Sequence, residues 1–594
     1  MKEQIYRIGF VIFLFSFLGC QNESKKIENM VTFAKVYGYV KYFHPSDEAS
    51  QIDWEKFSIY GASQIDQCRT KEDIVNTLNR LFKPIAPSIT FAEDKTILDT
   101  ELKDIIPENK EQYAPVYWQH VGVSIGMDSK RSPYASWRIN RDSAMGIKQL
   151  FEYEPKFGES VIKQVGDGIY CRIPIVLYGN KESTFPRADE TRLEELKEKL
   201  KDTNNAKVED PYLRLGNMVN VFNVFQHFYP YFDVVEVDWE AEFKNAIAQS
   251  YIDTSKFDHL VTLRKFTATL QDGHISVSNK SLSKDYAPSI AWEWIENKLV
   301  VTKVAEYYDS IHVGDIVTHI DGKSSEEYFE ETYSRISAAT DGWLRYKARI
   351  QSLIGQEESE LNVVIEGKEH KLERTANPNY WLQKARFEKD VYKEIEPDIW
   401  YLNLDQIAMD TINKLLPQLE ECKSIICDLR GYPKGNHGFI RHLLAIDDTT
   451  SAWMQRPKIV YPDQNKVVGY YKSNWIGSMT AKKPYLGDKN VVFITNGRAI
   501  SYAESYMGYI EGYKLATIVG QPTAGTNGNV NLFSLPGGYK ISWTGMKVVK
   551  HDGTQHHGIG VLPNIYVEKT IQGVKEGRDE FLEKALEVAR EDND

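Results

Sequence analysis

Cysteine is scarce in this chain, with five among 594 residues. None forms a CxxC pair and none stands at a histidine-matched metal spacing, so neither a zinc site nor a redox dithiol is encoded. Cys422 and Cys427 flank the apolar stretch KSIIC and read as buried thiols; Cys68 and Cys171 stand alone. Positive charge is short too: 72 Lys and Arg face 84 Asp and Glu, a formal net charge of −12. With no dense Lys/Arg block, the chain lacks the electrostatic footprint of a nucleic-acid partner. Long apolar runs are missing as well. IGFVIFLFSFLG near the N-terminus is too short to span a bilayer comfortably. What is plentiful excludes other classes: 42% hydrophobic and 12% aromatic residues rule out wholesale disorder. The length exceeds what one hydrophobic core organises, so three or four domains are expected.

Lys2 and Arg7 precede that apolar run, a small residue ends it, and polar QNESKK follows, which is the layout of an export signal. Cys20 directly after Gly19 resembles a bacterial lipobox, with Phe17 where Leu is usual. The resemblance implies a signal over residues 1–20, lipidation of Cys20, and an exported protein anchored in the cell envelope.

VYGYVKYFHP (36–45) reappears as VFNVFQHFYP (221–230), and DWE at 53–55 recurs at 238–240. Apolar and aromatic positions in both copies recur at helical spacing with a terminal proline. Two related helical modules are therefore expected, over 28–100 and 213–284, with His44 structural. Between them, 101–204 alternates apolar and polar residues among Gly, Pro and Asn breaks, as a β-rich region does, before a charged linker helix. Residues 288–378 form a compact unit of strands. Residues 385–590 alternate apolar strands (DIWYLNLD, SIICDLRG, VVFITNG, LATIVGQ) with helix-length segments, the pattern of a helix-covered parallel sheet. The fold class is multidomain α+β with an α/β core.

Functional residues of such sheets gather at the carboxyl ends of strands. Three loops qualify. Ser501 in TNGRAISYAES follows the VVFIT strand and precedes a helix; helix-terminal amides beyond it could stabilise negative charge, but a helix-capping serine gives the same local pattern. SIICDLRGYPKGN carries glycines that let backbone N–H groups face a cleft, as an oxyanion hole requires. IVGQPTAGTNGN is a loop of small residues that would let a substrate backbone approach.

Together these motifs resemble the peptidase group of C-terminal processing peptidases, the tricorn core protease and interphotoreceptor retinoid-binding protein. The family's DLRGNPGG appears as DLRGYPKG, its nucleophile segment as TNGRAISYAES, its G-E-x-T-x-G as GQPTAG and its terminal G-(I/V)-x-P-D as GVLPN (560–564), in the family's order. The stretch IHVGDIVTHIDGK resembles a PDZ domain, a module that binds extended peptides at a sheet edge. The resemblance implies a crotonase-like (ββα) core with Ser501 as nucleophile and oxyanion amides at Gly431 or Tyr432 and at Tyr502.

C-terminal processing peptidases place a lysine base after the T-x-G segment, where this chain has Thr526, which cannot accept a proton. The tricorn-like branch uses a histidine in a D-G-H segment, here His274, whose ordinary pKa of about 6.5 suits a base near neutral pH. The related enzymes orient it with a glutamate shortly before G-V-x-P-D. HDGTQHHGIG has no acid in register: Asp552 is the nearest carboxylate and His557 or a neighbour fills the region. The orienting group is then an acid from elsewhere, Gln555 or a histidine, or the activity is weak. The reading is an exported, lipid-anchored serine peptidase acting on peptide or unfolded protein substrates, with no cofactor or metal and no nucleic-acid partner. The sequence leaves homo-oligomerisation open. The rival is a non-catalytic lipoprotein that uses the same fold to bind peptides or apolar ligands.

Overall fold

Helix caps 185 residues apart carry the internal repeat into three dimensions. Asp53 caps Trp54–Ile65 and Asp238 caps Trp239–Ile252, each accepting from a first-turn amide. Thr70 and Ser255 form reciprocal capping boxes, with Asp73 and Asp258, at the heads of Lys71–Phe82 and Lys256–Ala268. The computed structural model describes residues 2–98, 105–123, 134–139, 149–282, 285–377, 390–448, 453–475 and 479–591, with side chains from residue 23. The side chain of Cys20 lies outside the described residues. Among them, no helix is long and apolar enough to cross a membrane.

Helix Pro211–Phe228 is buried on nearly every face, as a helix apolar all round must be. It packs against Lys2–Phe43 and Trp54–Ile65 of the first copy, so the two modules share one core. The polar groups inside are paired: Asn220 donates to Ser58 Oγ at 3.0 Å and Asn223 donates to the Ala34 carbonyl at 2.8 Å. His44 is buried between Ser46 and Ser88.

Each module ends in an edge strand that joins a hairpin. Thr90–Ala92 pairs with Ile169–Pro174, whose partner is Ser160–Gly166. Ser276–Asn279 pairs with Tyr539–Thr544, whose partner is Val530–Leu535. The second hairpin comes from the far end of the chain. The remaining strands of the 101–204 region do not close on themselves either. Ala114–Val121 pairs with Met454–Ile459 within a seven-stranded sheet that also holds Val467–Ser473 and Lys547–Val548. Period-two patterning selects which face of a strand is buried and says nothing about its partner.

Residues 290–373 form an antiparallel sheet ordered Lys368–Glu373, Glu360–Ile365, Ile316–Ile320, Lys298–Val304 and Ile290–Ile295. Helices Ser325–Tyr333 and Asp341–Gln351 accompany it over a core that includes Trp292, Leu299 and Phe329.

The last region is a six-stranded sheet in the order Tyr392–Glu396, Ile399–Asn403, Ser424–Asp428, Asn490–Thr495, Thr517–Gly520 and Ile565–Tyr566. Every pairing after the first is parallel. Its apolar strands are covered on both faces, by Met409–Glu421 and Tyr502–Gly512 among one set of contacts and by Glu580–Arg590 in another. Three neighbouring strands therefore deliver DLRGYPKG, NGRAIS and QPTAG to one edge.

Candidate active site

Ser501 stands between strand Asn490–Thr495 and helix Tyr502–Gly512 with φ 59° and ψ −110°. An L-residue rarely adopts that backbone, and holding it there costs about 1–3 kcal/mol. Ser501 occupies the N-cap position, yet its side chain makes no capping hydrogen bond. The turn aims the hydroxyl elsewhere, in the manner of a nucleophile on a sharp strand-to-helix elbow.

The strain is held by the neighbouring loop. Ser501 N donates to the Thr526 carbonyl at 2.9 Å, and Ala524 N donates to the Ala499 carbonyl at 2.9 Å. Glu504, fully buried one turn into the helix, clasps the same loop. Its Oε1 accepts from the Thr523 hydroxyl at 2.5 Å and Gly525 N at 2.7 Å, and its Oε2 accepts from Thr526 N at 2.8 Å. Burial pushes this carboxyl up, but His556 at 3.3 Å and those donors outweigh it and hold it below the usual range. Its role is to fix the loop.

Ser501 lines a cavity of about 300 Å³ with Tyr432, His437, Met454, Trp475, Tyr502, Ser505 and Asn527–Asn529. Tyr502 begins the helix, where first-turn N–H groups have no intrahelical acceptor. Gly431, the neighbour of Tyr432, has no room for a side chain: a Cβ there would stand 2.1 Å from the Asp405 carboxylate and 3.1 Å from Arg498. His437 donates to or accepts from the Tyr502 hydroxyl at 2.8 Å and packs edge-on to Trp475. The sequence reading missed His437, Trp475 and Met454. His437 follows the glycine loop by one residue, which is the only local hint; Met454 lies on a strand of a different sheet and Trp475 just past the end of that strand's neighbour.

His274 is not part of that lining. The structure brings its segment to the serine turn through Thr526, which receives Ser501 N on its carbonyl and Gly273 N on its hydroxyl at 3.0 Å. Among the described residues no hydrogen bond joins the His274 ring to the Ser501 hydroxyl. His274 Nδ1 lies 2.9 Å from Thr544 Oγ1, and the Thr544 hydroxyl donates to Asp272 at 2.7 Å. Burial lowers the His274 pKa, opposed by the negative charges of Asp272 and Glu504.

The region before GVLPN does something else. His557 stacks on Tyr231 with ring centroids 3.9 Å apart, and burial pushes its pKa down to about 4. Gln555 donates to the His557 carbonyl, and Asp552 accepts from Thr554. Among the described residues none of these side chains hydrogen-bonds to His274. Among the described residues no cluster of His, Cys, Asp and Glu could hold a metal ion.

The 290–373 unit also touches this site. Ser337 Oγ accepts from Asp272 N at 2.8 Å, and Thr340 donates to the carbonyls of Thr523 and Ala524 at 3.3 and 3.1 Å. Gly342 and Gly497 meet backbone to backbone, so that a Cβ on Gly497 would lie 2.5 Å from the Gly342 carbonyl carbon.

Residues 398–567, which hold the three loops and Ser501, match the sequence profile of Peptidase family S41. Two curated relatives are similar. A carboxy-terminal-processing protease of Bartonella bacilliformis is 25% identical over 206 residues, covering 33% of this chain and 44% of the relative. A carboxyl-terminal-processing protease of Synechocystis is 29% identical over 181 residues, covering 29% and 39%. The chain thus spans well under half the length of the curated relatives it matches. Among solved structures, mature CPAF superposes with a TM-score of 0.51 at 12% identity, over 64% of this chain and 97% of that one, which shows a shared fold.

Proposed function

We propose that this protein is a serine peptidase that hydrolyses peptide bonds in peptide or unfolded protein substrates. The observation that supports this most is Ser501 itself: a serine in a strained turn, at a helix N-terminus, excused from capping and facing a cavity within the family-matched span. In the proposed mechanism Ser501 Oγ attacks the scissile carbonyl carbon as its proton passes to His274 Nε2. The carbonyl electron pair moves onto oxygen, where the Tyr502 amide and one from Gly431 or Tyr432 would hold it. His274 then returns the proton to the leaving amine. Water, deprotonated by the same nitrogen, hydrolyses the acyl-enzyme and restores Ser501.

The 288–378 unit is proposed as a PDZ-like module that captures an extended segment, and the 385–590 region as a crotonase-like core. Export and lipidation at Cys20 complete the reading. A fluorophosphonate probe tests it: wild type labels and Ser501→Ala does not. A wild type that stays unlabelled and inert on unfolded proteins would favour the ligand-binding alternative.

A further inference from the structure

We propose that Asp272, acting through the Thr544 hydroxyl, is the group that orients His274 and balances its charge; both are positioning residues. The proposal rests on the reading of Ser501 and His274 above.

Asp272 is fully buried. Its Oδ1 accepts from His274 N at 3.0 Å and from the Thr544 hydroxyl at 2.7 Å, and its Oδ2 accepts from Thr544 N at 2.7 Å. An ionised carboxylate only accepts, and a hydroxyl has one proton to give. The Thr544 proton is committed to Asp272, so Thr544 Oγ1 meets His274 as an acceptor. The reverse direction would set the threonine lone pairs against a carboxylate at 2.7 Å. His274 therefore carries its proton on Nδ1, and Nε2 keeps the lone pair that a general base needs.

The charge argument runs the same way. Among the described residues no lysine or arginine pairs with Asp272, although a buried charge is costly without a partner. Three donors satisfy its oxygens but bring no countercharge. The cation that would supply one is the imidazolium formed when His274 takes the serine proton. A negative charge fixed in advance beside a transient positive one favours that transfer.

The duplicated half provides a control within the molecule. At the 185-residue offset Asp272 and His274 correspond to Pro87 and Ile89. Phe91, the equivalent of Ser276, pairs with Cys171 where Ser276 pairs with Ser542, so Thr544 corresponds to Ile173. The first copy builds the same helix, edge strand and hairpin with apolar residues at all three places. Folding does not require the polar trio, and only the copy beside Ser501 has it.

The test measures, in the full-length protein, the tautomer of His274 by ¹⁵N shifts and the rate of fluorophosphonate labelling from pH 5 to 9. Wild type is expected to be protonated on Nδ1. Thr544→Val should give mixed tautomers and label more slowly, by up to the roughly 10⁴-fold lost by a triad whose histidine is held in the wrong form. The acid limb of its labelling should also move to lower pH, because the His274 ring loses its hydrogen-bonded link to the carboxylate. Thr544→Ser should restore both readouts to within about 5-fold. A wild-type His274 protonated on Nε2, or a Thr544→Val protein with the wild-type rate and pH profile, overturns the proposal. So does equal loss in the valine and serine variants with an unmoved profile, which would mean packing alone. Asp272→Asn should resemble Thr544→Val; if it fails to fold, the threonine pair decides. An Nδ1–H wild type that never labels would leave the relay standing and bring down the peptidase reading instead.

Discussion

Replacing Ser501 by glycine should stabilise the protein relative to alanine at the same position. The backbone at φ 59° and ψ −110° is the mirror image of ordinary extended geometry, open to glycine and strained for any residue with a Cβ. Relief of about 1–3 kcal/mol of strain, less about 0.5–1 kcal/mol for the greater freedom of glycine in the unfolded chain, leaves up to about 2.5 kcal/mol in favour of Ser501→Gly. Ser501→Ala keeps the Cβ and removes a hydroxyl that makes no capping bond, so it should stay within about 0.5 kcal/mol of wild type. At about 2–4 °C per kcal/mol for a core of this size, the glycine variant should melt above the alanine variant by up to about 10 °C by calorimetry. A glycine variant that melts with or below the alanine variant would refute the claim that this turn stores strain.

Gly497→Ala should cost about 1–3 kcal/mol, because its Cβ would meet three backbone atoms of Gly342 at 2.5–2.8 Å. Gly342→Ala meets Gly497 at 3.0 Å with its next contact at 3.7 Å, so it should be milder; the reverse order in denaturant midpoints would refute the docking geometry. His274→Ala should slow probe labelling at least about 100-fold and His437→Ala less than about 5-fold, and the opposite ranking would make His437 the base. Acid should weaken the fold early. His44 and His120 are held neutral with pKa values near 3, and His227 and His557 near 4, all by burial. Each folded value lies below the unfolded one of about 6.5, so their contribution is complete above pH 6.5 and drains away as pH falls toward 3–4. At pH 5 each withdraws about 2 kcal/mol, and urea midpoints that do not change between pH 7 and 5 would contradict it.

Much of the core was legible in the sequence because its strands are buried on both faces and read as apolar runs: SIICD and NVVFIT sit where the pattern put them. The repeat was legible because caps and aromatics keep their spacing. The conformation of Ser501 was not, since a serine before a helix is written the same way whether it caps or not. Asp272 was in plain view inside the D-G-H segment, yet its partner Thr544 lies 272 residues away in a hairpin whose pairing no local pattern announces. Likewise, Met454 reaches the cavity wall on a strand paired with Lys547–Val548 and Ala114–Val121.

The strand that follows His274 finds its sheet partner only in Tyr539–Thr544. At about 5–20 residues per second, a ribosome needs roughly 15–50 s to make the intervening chain. Throughout that interval the histidine exists without its hairpin, and Ser501 is either unmade or newly made. Asp272, His274, Ser501 and Thr544 are all present only once Thr544 has been made. The long reach between module and hairpin is in effect a timer that delays the contacts around His274 until the hairpin exists.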